Sequence, residues 1–206
     1  MKTIAIVIFD DFTDIDFFLM RDIFGRNNAD WSVKVLGMRK THQSTLGMTV
    51  QTDGHVSEAS SADAVLISSG YKGVPAALAD REFMSSLLLD PNRQLVGSIC
   101  AGSFIIHKLG LLEGRKLTTH PDAKPALEEM GGDVQDEPLV VEGNIATAGG
   151  CLSALYLTGW VIERLFNEQK RRETHRQLIP AGQADIFEGL IQNTIYSATR
   201  SLAIHA

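Results

Sequence analysis

The chain has 206 residues, 44% of them hydrophobic and 21% charged, enough to bury one sizeable core and too few for two ordinary domains. Its net charge of −6 argues against a nucleic-acid partner, because phosphate binding needs clustered Lys and Arg to displace counterions. The one basic cluster, Lys170, Arg171, Arg172 and Arg176, is interrupted by Glu173 and reads as a solvated helix face.

In chain order, MKTIAIVIFDD reads as a buried first strand over 3–9. It is too short for a signal core or a membrane span and has no small-residue cleavage site, so a cytoplasmic protein without a membrane partner is expected. Apolar residues three or four apart predict a helix over 14–25, followed by a strand over 32–37. TLGMTVQT at 45–52 alternates apolar and polar residues and is expected to be a two-sided strand in a small antiparallel appendage. Further strands are expected at 63–69, 94–99 and 144–148, with helices at 81–89, 102–109, 122–130, 151–168 and 185–203. DPNRQ and GGD punctuate the turns between them, and Asp122 is placed to cap the helix that Pro125 enters. Strands alternating with helices predict an α/β three-layer sandwich, a mostly parallel sheet with helices on both faces in the flavodoxin-like manner. Residues 1–206 are read as a single domain, with 169–206 as its helical extension. In the last helix Ile186, Leu190, Ile191 and Ile195 form an apolar stripe, readable as core or as a subunit contact.

Cys100, in QLVGSICAGSFIIHKLGLL, directly follows the most apolar central strand. Open α/β sheets bind ligands at the carboxyl ends of their strands. Ala101 and Gly102 permit a sharp reversal into a helix, as at a nucleophile elbow. The helix end and its unpaired N–H groups would favour a thiolate. A free cysteine is commonly just a small buried hydrophobe, but a strand–Cys–Ala–Gly–helix context favours the nucleophile. Cys100 and Cys151 without an export signal fit a reducing compartment, and neither has zinc-site spacing. His42, His55, His107, His175 and His205 show no ligand spacing and are expected to be structural or superficial.

SICAGSFIIHKLGLLEGRKLTTHPDA, TAGGCLSALYL and IAIVIFDDFTDIDF together resemble the ThiJ/PfpI superfamily, related in fold to class I glutamine amidotransferases, over roughly residues 3–168. The resemblance implies an acid beside the cysteine sulfur, best matched by Asp16 with Asp14 second, sharing a proton with the thiolate. It also implies backbone N–H donors to developing negative charge at Gly70 and Ala101. The usual glycine pair reads here Ser68, Ser69 and Gly70. Tyr71 either lines the pocket or simply packs. His120 is the nearest conventional base, or else a structural or interface residue. Cys151 is a buried small residue, a substrate contact or a resolving thiol.

Proteolytic relatives carry histidine after the cysteine, and Ala101 in that place argues against peptidase activity. The layout is most similar to the isonitrile hydratase branch, in which a thiolate adds to the terminal isonitrile carbon, an acid protonates it, and water releases an N-substituted formamide. Ala101, in place of a hydroxyl residue, and Tyr156, in place of an acid, depart from that branch. A glyoxalase- or deglycase-like enzyme acting on α-oxoaldehydes is the alternative. A thiol redox sensor is a third reading, although 169–206 is too short for the helix-turn-helix module of related regulators. The resemblance implies a homodimer acting on a small electrophile, with no metal or organic cofactor.

Overall fold

The computed structural model describes residues 1–26 and 29–200. In chain order it contains β1 (Lys2–Val7), α1 (Asp14–Gly25), β2 (Trp31–Gly37), β3 (Thr41–Gln43), β4 (Thr49–Gln51), β5 (Gly54–His55), β6 (Ala64–Ile67), α2 (Gly73–Ala79), α3 (Arg81–Ser86) and β7 (Leu95–Ile99). There follow α4 (Ser103–Lys108), β8 (Lys116–Leu117), α5 (Lys124–Glu129), β9 (Asp133–Val134), β10 (Leu139–Glu142), β11 (Ile145–Ala148), α6 (Ala154–Leu165), α7 (Glu168–His175) and α8 (Ala184–Arg200).

The main sheet runs β10-β11-β7-β6-β1-β2-β5. Only β10 is antiparallel to its neighbour. Its parallel heart, β2-β1-β6-β7-β11, is the flavodoxin-like order, with the direction of winding reversing between β1 and β6. Right-handed crossovers laid down in opposite directions put helices on opposite faces. Accordingly α1 packs with α6, and α2 with α4. Covered on both sides, the central strands are continuously apolar rather than alternating. Ile4–Val7 and Ala64–Ile67 are wholly buried.

Several sequence expectations change. Residues 45–52 are not one strand: β3 and β4 pair antiparallel, and their turn includes Gly47 in the left-handed region. Asp14 ties this hairpin to α1, accepting from the Ser44 hydroxyl at 2.6 Å and from Leu46 N–H at 3.1 Å. The expected 81–89 helix is α3, capped by Asp80, whose Oδ1 accepts from Glu82 and Phe83 N–H. α2 before it was not expected. Asp122 does not cap its helix. Instead its N–H donates to His120 Nδ1 at 3.2 Å, because Pro121 follows His120 into a short 3-10 turn. The 151–168 helix starts as a 3-10 turn, Cys151–Ser153, and α6 ends at Leu165. α7 then begins afresh, with Asn167 Oδ1 accepting from Lys170 N–H. Positions 201–203 of the last helix, and His205, lie outside the described residues. Its stripe divides, with Ile191 and Ile195 in the core and Ile186 and Leu190 exposed.

Arg171 is the largest correction. It belongs to no solvated face but is fully buried, because Glu163 of α6 and Glu188 of α8 accept from its guanidinium at 2.9 and 2.6 Å. Two carboxylates offset the desolvation that a lone buried cation could not bear. No helix among the described residues is long and apolar enough to cross a membrane.

Candidate active site

The site lies at the carboxyl ends of β6 and β7, beside the point where the winding direction reverses. β7 delivers Cys100 into a three-residue 3-10 turn, Cys100–Gly102, which passes into α4. Cys100 has φ 49°, a left-handed conformation that costs a residue with a Cβ about 1–2 kcal/mol. Its surroundings hold it there, since the Cys100 carbonyl accepts from the Ser103 hydroxyl at 3.2 Å and the Thr119 hydroxyl at 3.1 Å. Gly102 lets the elbow lie on the end of β6, where any Cβ would come within 2.7 Å of the Ser68 carbonyl oxygen. Backbone placement therefore fixes the sulfur.

Asp16 comes from the first turn of α1 and is completely buried. Its Oδ1 lies 3.4 Å from Cys100 Sγ, while Oδ2 is buried without a hydrogen-bond partner. Burial raises the Asp16 pKa; hydrogen bonds from Cys151 and Cys100 and the nearby His120 pull the other way without cancelling it. The Cys100 thiol is raised strongly, first by burial and then by the Asp16 carboxylate. The helix-end effect expected to favour a thiolate is thus outweighed, because removal from water penalises charge and a like charge adds to it. Two acids with raised pKa values, in contact and out of water, share protons as a pair rather than titrating separately.

Cys151 Sγ is 3.7 Å from Cys100 Sγ. Its own pKa is raised by burial and then by Asp16. The ligand atoms of Asp16, Cys100 and Cys151 all lie within 4.8 Å of one another. Two sulfurs and a carboxylate are a donor set suited to a borderline cation such as zinc.

The other expected residues divide. The Ala101 N–H is at the elbow, but it donates to the Ser69 hydroxyl at 3.2 Å. Ser69 stands in the sequence only as a departure from the usual glycine pair, and its role as acceptor for the Ala101 N–H becomes visible in the fold. Gly70 serves a close approach of two backbone segments: any Cβ there would clash with the Asp11 carbonyl oxygen. Tyr71 is 91% exposed and does not line the buried site. His120 is part-exposed, acts on Asp16 through charge, and accepts the Asp122 N–H. Asp14 is occupied by the hairpin, as described above. Tyr156 is half-buried, and burial raises its pKa more than the neighbouring Thr194 of α8 lowers it. His42, paired with Asp10 at 3.1 Å, is held neutral by burial and by Arg39, its pKa lowered to about 4. His175 is buried, with Nδ1 and Nε2 each 3.0 Å from a carbonyl, those of Arg171 and Leu155, to one of which its single N–H donates. Thr118, Thr119, Pro121 and Gly149 border a cleft of about 240 Å³ next to the elbow.

Fold and site together define a flavodoxin-like α/β protein with cysteine on a nucleophile elbow and an acid at its side. The profile of the DJ-1/PfpI family matches residues 2–164, and the chain belongs to that family. It is similar to Protein dj-1beta of Drosophila melanogaster, 23% identical over 184 residues, which cover 87% of this chain and 98% of the fly protein. It also matches a protein named glutathione-independent glyoxalase DJ-1 from Schizosaccharomyces pombe, 31% identical over 88 residues but covering only 43% of this chain and 45% of that one. Among solved structures, a ThiJ/PfpI family protein from Pseudomonas syringae superposes with a TM-score of 0.78 at 19% identity, covering 96% and 88% of the two chains. Schizosaccharomyces pombe DJ-1 superposes with a TM-score of 0.74 at 22% identity, covering 87% and 100%.

Proposed function

We propose that the protein is a cysteine-dependent hydratase of small electrophiles, with isonitriles as the substrate class. The reading is carried by the buried contact between Cys100 Sγ and Asp16 Oδ1 at 3.4 Å. Addition to an isonitrile requires one nucleophile and one acid able to protonate the same carbon the nucleophile attacks. The shared proton lies between those two groups. Cys100 sulfur adds to the terminal carbon, Asp16 delivers a proton to it, and a thioimidate forms. Water then adds to that carbon, Cys100 leaves as thiol, and an N-substituted formamide departs. The Ala101 N–H is positioned to receive negative charge once the Ser69 hydroxyl gives way.

The similarity to a protein named as a glyoxalase favours a second reading, in which Cys100 adds to an α-oxoaldehyde and Asp16 or His120 moves protons. Turnover of p-nitrophenyl isocyanide and of methylglyoxal, each with Cys100→Ala as control, separates the two. We expect isocyanide turnover that Cys100→Ala abolishes. Methylglyoxal turnover alone would replace the first reading with the second, and inactivity on both would remove both.

The working unit in this proposal is one domain, 1–206, to which 169–206 adds helices tied on by the Arg171 ion pairs. A homodimer is supported by exposed apolar side chains on α1 and its attached hairpin, Ile15, Phe18, Leu46 and Met48. Sedimentation at micromolar concentration tests it.

A further inference from the structure

Addition to an electrophile uses one thiol, and the site holds two. Cys100 is only 3% exposed, whereas Cys151, beside it, is part-exposed. Their sulfurs are in van der Waals contact at 3.7 Å. Neither sulfur lies in a helix interior: Cys151 opens a three-residue 3-10 turn, directly after Gly149 and Gly150, and Cys100 also opens a 3-10 turn. The Cys100 elbow, held by Ser103 and Thr119, is the fixed side.

We propose that Cys100 and Cys151 form a dithiol that hydroperoxides close to an intramolecular disulfide, reversibly silencing the nucleophile. In the first step Cys100 thiolate, its proton passed to Asp16, attacks the distal peroxide oxygen. An S–O bond forms and the O–O bond breaks. The alkoxide or hydroxide leaving group takes the proton back from Asp16, and sulfur loses the two electrons that the peroxide gains. In the second step Cys151 sulfur attacks the Cys100 sulfenic acid, an S–S bond forms, and hydroxide leaves with the Cys151 proton as water. Two thiols and one hydroperoxide thus give one disulfide, one alcohol or water from the peroxide, and one further water. The sulfurs must close from 3.7 Å to about 2.05 Å, a distance that side-chain rotation at the part-exposed Cys151 covers. A resolving thiol at contact distance intercepts the sulfenic acid before a second peroxide drives it to sulfinic acid. The pair therefore makes oxidation of Cys100 recoverable.

The test treats the reduced, full-length protein with one equivalent of hydrogen peroxide, then alkylates it and weighs it under non-reducing conditions. We expect a mass loss of about 2 Da with neither cysteine alkylated, and full recovery of both thiols on reduction. Cys151→Ser should instead retain one or two oxygens on Cys100, about 16 or 32 Da, its fold being checked by circular dichroism and thermal melting beside the parent. The proposal is overturned if the parent protein gains oxygen on Cys100 while Cys151 stays alkylatable. A disulfide between chains, or two intact thiols after excess peroxide, overturns it equally. None of these masses depends on turnover, and isocyanide or methylglyoxal activity of the reduced protein reports separately on the proposed chemistry.

Discussion

Two buried charged centres in this molecule are built on opposite plans. At Arg171 a fully buried cation meets two carboxylates, Glu163 and Glu188, and three helices are tied together by the compensation. At Asp16 a fully buried acid meets two thiols, each another potential anion, and no cation among the described residues; each centre leaves one polar atom without a partner, Asp16 Oδ2 and Arg171 Nη2. The first arrangement supplies opposite charge, whereas the second supplies only thiol hydrogen bonds, which do not cancel the effect of burial on Asp16. A group placed where its own charge is penalised holds its proton in reserve, which structure alone does not require and proton-transfer chemistry does.

The comparison predicts effects of different kind and size. Cys100→Ala should reduce turnover to background while leaving thermal stability within about 1–2 kcal/mol of the parent; full activity in that variant would end the nucleophile assignment. Asp16→Asn should lower kcat/KM by about 10²–10⁴ and yet speed alkylation of Cys100 by iodoacetamide near neutral pH, because the carboxylate that raises the thiol is gone. Slower alkylation would show that Asp16 activates the sulfur rather than restraining it.

The stability of the Asp16→Asn protein also has a sign that can be checked. A carboxyl raised on folding stabilises the native state fully below its unfolded value of 3.8, and that contribution is lost as pH rises through the folded value. The variant should therefore melt higher than the parent at neutral pH, with the advantage disappearing as the pH falls below 3.8.

Arg171→Ala belongs to the other centre and should do the reverse. With Glu163 and Glu188 left facing each other, stability should fall by about 3–5 kcal/mol, read as a drop in Tm on the order of 10 °C, while Cys100 remains alkylatable at the parental rate below that transition. The smallest effect is expected at Thr119→Val. It removes the hydroxyl that holds the Cys100 carbonyl and should cost about 1–2 kcal/mol, together with a several-fold loss in kcat at little change in KM.

The sequence made one of these centres legible and hid the other. A run of apolar residues ending in Cys-Ala-Gly is a local signal, because the strand, the tight turn and the helix are contiguous in the chain. Asp16 was distinguishable from its three acidic neighbours by its place between Ile15 and Phe17. Arg171 looked superficial because the two residues that permit its burial lie 8 positions before it and 17 after it, and no helical period links all three. Ser69 is a similar case. Its hydroxyl reaches Ala101 across 32 positions, a contact decided by how β6 and β7 pair. The fold was readable where periodicity persisted, and blurred at short elements such as α2 and β10. There a few residues at a sheet edge, or between two turns, carry too little pattern to outweigh their neighbours.

The left-handed conformation of Cys100 has one further consequence. Glycine would occupy φ 49° without the steric cost of a Cβ, so heat resistance alone gives no reason to keep a thiol at that point of the chain. Directed evolution of the gene for thermal tolerance, with no substrate supplied, should therefore enrich replacements at position 100. Repeating it in cells that must consume the true substrate should hold the cysteine in place, so the choice between the two populations becomes an assay for a compound not yet in hand.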